Sequence, residues 1–117
     1  MTAVFTSPFG NDLLMDFAKR AVAAEKLGRG DAPDLLCVSF SSTDLVGHQY
    51  GPDSQEVLDA TLRADRLVGQ FLAFLDQEVG AGKYVMVIAA DHGVCPLPEL
   101  PSTKEKYPAA KRTTTAG

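Results

Sequence analysis

Two stretches decide the fold: Asp34-Leu35-Leu36-Cys37-Val38-Ser39-Phe40 and Tyr84-Val85-Met86-Val87-Ile88-Ala89-Ala90. Each is a short, almost continuously apolar run. The first follows Pro33, and the second follows a Gly-containing turn at Gly80 and Gly82. Such runs read as strands buried on both faces, the pattern of a parallel sheet covered by helices. Cys37 lies inside the first run and is expected to pack as a small buried hydrophobe.

Between the two runs, residues 54–79 carry a helical pattern. Val57, Leu58, Thr61, Leu62, Val68, Phe71, Leu72, Leu75 and Val79 fall on one stripe. Asp53 with Glu56 three residues on reads as a capping box at its start. Gly80 and Gly82 stop it. Strand, long helix, strand is a βαβ unit with parallel strands and a right-handed crossover. Upstream, residues 11–27 form a second helical pattern on Leu13, Leu14, Phe17, Ala21 and Val22. Asn11 or Asp12 can cap it, and Gly28 and Gly30 end it. Beyond Gly93, Pro96, Pro98, Pro101 and Pro108 break regular structure, so residues 96–117 are expected to be mostly loop, with a basic character from Lys104, Lys106, Lys111 and Arg112. The expected architecture is α/β: one partial domain with strands at 34–40 and 84–90 and helices at 11–27 and 54–79.

Both apolar runs end in the same chemistry. The first leads into Ser41-Ser42-Thr43-Asp44-Leu45-Val46-Gly47-His48, and the second into Asp91-His92-Gly93. In an open α/β sheet, ligands bind beyond the carboxyl ends of parallel strands. Each run therefore delivers an Asp and a His to one edge, and these are the only 2 histidines in the chain. Carboxylate oxygen and imidazole nitrogen are ordinary zinc donors. Asp44 and His48 are one turn apart if the local structure is helical. Asp91 and His92 are neighbours that share an ion only where a strand is breaking, and Gly93 supplies that freedom. Two such ions would clamp the attacking and leaving oxygens of an in-line displacement at phosphorus.

The bulk properties set limits. The 117 residues suit one small domain or a piece of a larger one. A hydrophobic fraction of 45 % provides material for a core. The 15 acidic against 11 basic residues give a net charge of −4, which argues against nucleic acid as a partner but not against a small phosphate ester. No apolar stretch is long enough to span a membrane. Met1 to Phe9 does not read as a secretion signal, so a natural start at Met1 would indicate the cytoplasm. The two cysteines, Cys37 and Cys95, make no disulfide framework, and Cys95 reads as a structural thiol more readily than a ligand. Nothing in the sequence sets an oligomeric state.

The run SFSSTDLVGHQYGP from Ser39 to Pro52, and VIAADHG ending at Gly93, resemble the alkaline phosphatase superfamily. The similarity lies with the branch of type I phosphodiesterases, nucleotide pyrophosphatases and phosphate-irrepressible alkaline phosphatases. It extends through Leu62-Arg63-x-Asp65 and Phe74-Leu75-Asp76, and upstream into Ser7-Pro8-x-Gly10-Asn11. The resemblance implies an alkaline-phosphatase-like three-layer fold and a hydrolase acting on phosphate esters through two Zn2+ ions. It makes Asp44 and His48 ligands of one zinc, and Asp91 and His92 ligands of the other. It also implies a periplasmic or secreted location for a full-length member.

The family's Thr or Ser nucleophile, beside another zinc-binding Asp, has no counterpart here. Thr43 and Ser41 do not match its position. A further His ligand is also without a match, since no histidine follows His92. The resemblance thus implies a C-terminal-side piece of a longer catalytic domain, inactive alone. Three readings stay open: a phosphomonoesterase, a phosphodiesterase or nucleotide pyrophosphatase, and a non-catalytic metal-binding or interaction remnant. Cofactor-independent phosphoglycerate mutases share the Asp-His-Gly turn, but the Ser-Ser-Thr-Asp-x-x-Gly-His run fits them less well.

Overall fold

The structure is a computed structural model that describes residues 2–112. Among the described residues five α-helices follow in order: α1 (Thr2–Phe5), α2 (Phe9–Glu25), α3 (Ser41–Tyr50), α4 (Gln55–Leu75) and α5 (Pro101–Lys106). A single π-helical turn, Asp76–Gly80, extends α4.

The two long helices build the core. Met15, Ala18 and Val22 recur at helical spacing on α2 and pack with Phe71 of α4. Phe74, Leu75 and Val79 extend this cluster to the end of α4, and Leu27 and Phe40 close it from the flanking loops. The Phe71 and Phe74 rings stack at 6.0 Å between centroids. The start of α4 is capped by Ser54, whose Oγ accepts the Val57 N–H at 3.2 Å. The expected capping box on Asp53 is thus displaced by one residue, and Val57 replaces an acid at its third helical position.

The end of α2 is stitched to the end of α4. Lys26 adopts the left-handed conformation at φ 55°, and its N–H and that of Leu27 both reach the Val22 carbonyl. Arg29 then donates to the Glu78 carbonyl at 2.9 Å and pairs with the Glu78 carboxylate. Gly28, at φ 75°, lies directly against Val79: an added Cβ would sit 2.7 Å from its Cγ1. Near the other end of α2, Asn11 is buried and donates through Nδ2 to Thr43 Oγ1 at 2.9 Å. That bond ties α2 to the first turn of α3. The expected role of Asn11 as a helix cap gives way to this cross-link, because α2 begins earlier, at Phe9.

The expected βαβ unit is not formed. Among the described residues there is no strand, and 34–40 and 84–90 are without regular structure. Leu35 is 87 % exposed, Val85 90 % and Val87 82 %. The reason is physical: a strand is stable only when a neighbour completes its hydrogen-bond ladder, and a run apolar on both faces needs a covering layer on each. Cys37, expected to be buried, is exposed for the same reason.

The outer faces of the helices are bare as well. Leu13 and Phe17 of α2, expected on the core stripe, are exposed, as are Leu58 and Leu62 of α4. The accessible surface is 8907 Å², against about 6200 Å² for a compact monomer of this mass. The radius of gyration is 17.9 Å, where a compact domain of this length has about 13 Å. The chain buries one seam of a core and leaves other apolar faces open. In the Pro-rich tail, Pro101 starts the short helix α5, its fixed φ suiting the first helical turn. Residues 113–117 of the tail lie outside the described residues.

Candidate metal centre

Helix α3 begins at Ser41, directly after the first apolar run, and packs on both α2 and α4. Its ten residues place Asp44 in the first turn and His48 in the last, a polarity that complements the helix dipole. Four residues apart, the two side chains share a face, and Asp44 Oδ1 lies 3.2 Å from His48 Nε2.

His92 reaches the same place from the other apolar run. Its Nε2 lies 3.6 Å from Asp44 Oδ1, and its ring is 5.6 Å from that of His48. The far nitrogen, Nδ1, is 2.9 Å from the Gly93 carbonyl. A carbonyl only accepts, so Nδ1 carries a proton, and Nε2 is the nitrogen turned toward Asp44. A backbone carbonyl that holds one ring nitrogen while the other points at a metal is the usual support of a metal-binding histidine. The same Gly93 bond, helped by the charges of Asp91 and Asp44, raises the pKa of His92 above the ordinary 6.5.

Asp91 is set apart from this cluster. Its side chain is 91 % exposed, and its Oδ1 accepts the His92 N–H at 3.0 Å. Its Oδ2 is 3.8 Å from His92 Nε2. The structure therefore brings Asp44, His48 and His92 together, with Asp91 on the rim. The donor atoms of the three all lie within 4.8 Å of one another.

These separations suit a cation. Donors at about 2.1 Å from a tetrahedral zinc are roughly 3.4 Å from each other. The Asp44–His48 and Asp44–His92 distances, 3.2 and 3.6 Å, bracket that edge. One anionic oxygen and two imidazole nitrogens are also the right chemistry, and all three side chains are partly exposed to an approaching ion.

Three contributors were not legible in the pattern of Asp and His. Gly47 and Gly51 give the chain after His92 room to pass close over α3, where Val94 and Leu97 lie against them. Arg112 donates through Nη1 to the His48 carbonyl at 3.2 Å and grips Glu99 with its remaining nitrogens, which lowers the Glu99 pKa. The one signal available was Gly47 itself, a residue that costs a helix stability and so hints at a packing reason.

An Asp and a His from one helix, joined by a His from a distant loop, present three donor groups that could hold a metal ion. The sequence model of the type I phosphodiesterase / nucleotide pyrophosphatase family matches residues 3–109. The chain belongs to this family, within the alkaline phosphatase superfamily. It is 47 % identical over 91 residues to alkaline phosphatase PhoV of Synechococcus elongatus, covering 78 % of this chain and 16 % of that protein. It is also 47 % identical over 97 residues to a protein named calcium-transporting ATPase from Myroides odoratus, covering 81 % of this chain and 18 % of that one. The crystal structure of wild-type alkaline phosphatase PafA superposes with a TM-score of 0.78 at 42 % identity, over 80 % of this chain and 18 % of PafA. The chain thus has an alkaline-phosphatase-like fold and spans less than one fifth of the length of these relatives.

Proposed function

We propose that this chain carries the metal-binding elements of a zinc-dependent phosphate-ester hydrolase of the alkaline phosphatase type. The observation that carries the proposal is the convergence of Asp44, His48 and His92, whose donor atoms all lie within 4.8 Å of one another, with Asp44 Oδ1 at 3.2 and 3.6 Å from the two imidazole nitrogens. In the complete domain, Asp44 and His48 hold one zinc and Asp91 and His92 the other. Asp91 Oδ2 lies 3.8 Å from His92 Nε2, which leaves the two side chains able to serve that second ion together. When bound, the ions supply Lewis-acid polarisation of the phosphoryl oxygens. The chain's own work is to orient donors. The i, i+4 register of α3 aligns Asp44 with His48, and the Gly93 carbonyl fixes the tautomer of His92.

No residue here takes the part of the nucleophile. The Thr43 hydroxyl accepts a bond from buried Asn11 and serves to join α2 to α3. The 117-residue chain is therefore expected to bind an ion weakly and to be inactive. In the complete domain, 34–40 and 84–90 become neighbouring parallel strands, and the bare faces of α2 and α4 are covered. The whole protein acts on small phosphate esters, not nucleic acid, in a periplasmic or secreted setting. Phosphomonoesters are the first reading, in line with relatives named alkaline phosphatases. Phosphodiesters are the second, favoured by the name of the matching family.

The test is hydrolysis of an aryl phosphate monoester and its diester, with zinc added, by this chain and by the whole open reading frame that contains it. The expected result is turnover by the longer protein alone, faster on the monoester, and abolished by Asp44→Ala and by Asp91→Ala. Turnover that survives both substitutions would overturn the site. Turnover by the 117-residue chain that vanishes on Asp91→Ala would overturn its inactivity.

A further inference from the structure

The geometry points to Gly47 and Val94 as the pair that positions His92, holding the segment after it against α3 so that the donor triad is assembled before any ion arrives. The inference rests on the metal reading of Asp44, His48 and His92. Gly47 is buried, and a Cβ built on it would lie 2.6 Å from Val94 Cγ2, where ordinary contact begins at 3.4 Å. One turn further on, a Cβ at Gly51 would lie 2.9 Å from Leu97 Cγ. The two contacts run the segment along the helix. Arg112 pins its far side, joining the Glu99 carboxylate to the His48 carbonyl.

His92 is two residues from Val94, and its ring is already bonded to the carbonyl of the residue between them. Only Gly93 separates the two, and the Nδ1 bond to its carbonyl ties the His92 ring to the segment that Val94 anchors. Any outward step of Val94 is passed on to it. Restoring ordinary contact to a side chain at position 47 needs a shift of roughly 0.8 Å, and a valine, stiff at χ1, gives little by rotation. Metal and catalytic constellations tolerate only about 0.5 Å before they lose function. A single methyl at position 47 is therefore enough to part His92 from Asp44.

Gly47→Ala isolates this effect, because alanine is the better helix former and strengthens α3 itself. Cobalt(II) titrations of the 117-residue chain, followed by absorbance, should show Gly47→Ala at least tenfold weaker than wild type. Removing the obstructing methyls with Val94→Ala in the same chain should restore affinity to within about threefold of Val94→Ala alone, the mark of a direct coupling. In the metal-free protein, nuclear Overhauser contacts between the His48 and His92 rings should be present in wild type, lost in Gly47→Ala and regained in the double variant. Unchanged cobalt affinity in Gly47→Ala, or no recovery in the double variant, refutes the role. If wild type takes up no cobalt, the metal reading fails on its own. The ring contacts then decide the positioning role: the stated pattern supports it and any other overturns it.

Discussion

Replacing Asp44 by alanine removes the one donor common to both short edges of the triad. Its Oδ1 is 3.2 Å from His48 Nε2 and 3.6 Å from His92 Nε2. It is also the only anion among the three donors. Loss of a supporting group around a metal ligand costs 10- to 100-fold in affinity, and loss of the ligand itself costs more. We therefore expect at least about 100-fold weaker binding, or about 2.7 kcal/mol. The readout is the thermal midpoint of the 117-residue chain with and without cobalt(II). At a cobalt concentration of about 100 times the wild-type Kd, wild type gains about 2.7 kcal/mol of stability. At the same concentration, a variant bound 100-fold more weakly gains only about 0.4 kcal/mol. The cobalt-dependent rise in melting temperature should thus almost disappear in Asp44→Ala. Asp91→Ala, which removes a carboxylate 91 % exposed and outside the triad, should keep most of the rise in this chain. The reasoning is refuted if Asp44→Ala melts like wild type with cobalt, or if Asp91→Ala loses as much.

Three further outcomes are expected. Phe71→Ala empties the centre of the only cluster joining α2 to α4 among the described residues, and should cost about 3–5 kcal/mol, seen as loss of a cooperative urea transition by circular dichroism. The raised pKa of His92, caused first by the Gly93 carbonyl and then by the Asp91 charge, gives a defined pH dependence. Its folded value lies above the unfolded one, so its contribution to stability is fully present below the ordinary histidine range and is lost as pH rises through the folded value. Protons compete for the same nitrogen, so cobalt affinity should fall on acidification starting above pH 6.5; the His92 ring resonances, titrated without metal, would locate the midpoint. Finally, the exposed apolar runs 34–40 and 84–90 should drive association, with light scattering showing mass that grows with concentration. Val85→Lys with Val87→Lys should suppress it, and a monomer at every loading of the unmodified chain would contradict the expectation.

The sequence by itself determined what depends on near neighbours along the chain. The helical periodicity of residues 11–27 and 54–79 suffices to predict α2 and α4, and the four-residue step from Asp44 to His48 suffices to align them once α3 is helical. Periodicity says which faces are apolar, however, and not which are covered. Leu13 and Phe17 are as apolar as Met15 and Val22, and only the packing of α2 on α4 decided that the second pair is buried. The two apolar runs encode burial on both faces, but a ladder and covering layers are non-local, and among the described residues nothing supplies them. The Asp-His-Gly turn likewise named its donors without saying where they go. His92 joined Asp44 and His48, while Asp91 stayed on the rim, because the segment after His92 lies against Gly47 and Gly51. A close approach between residues so far apart in the chain is a property of the packed structure, since no local periodicity carries it.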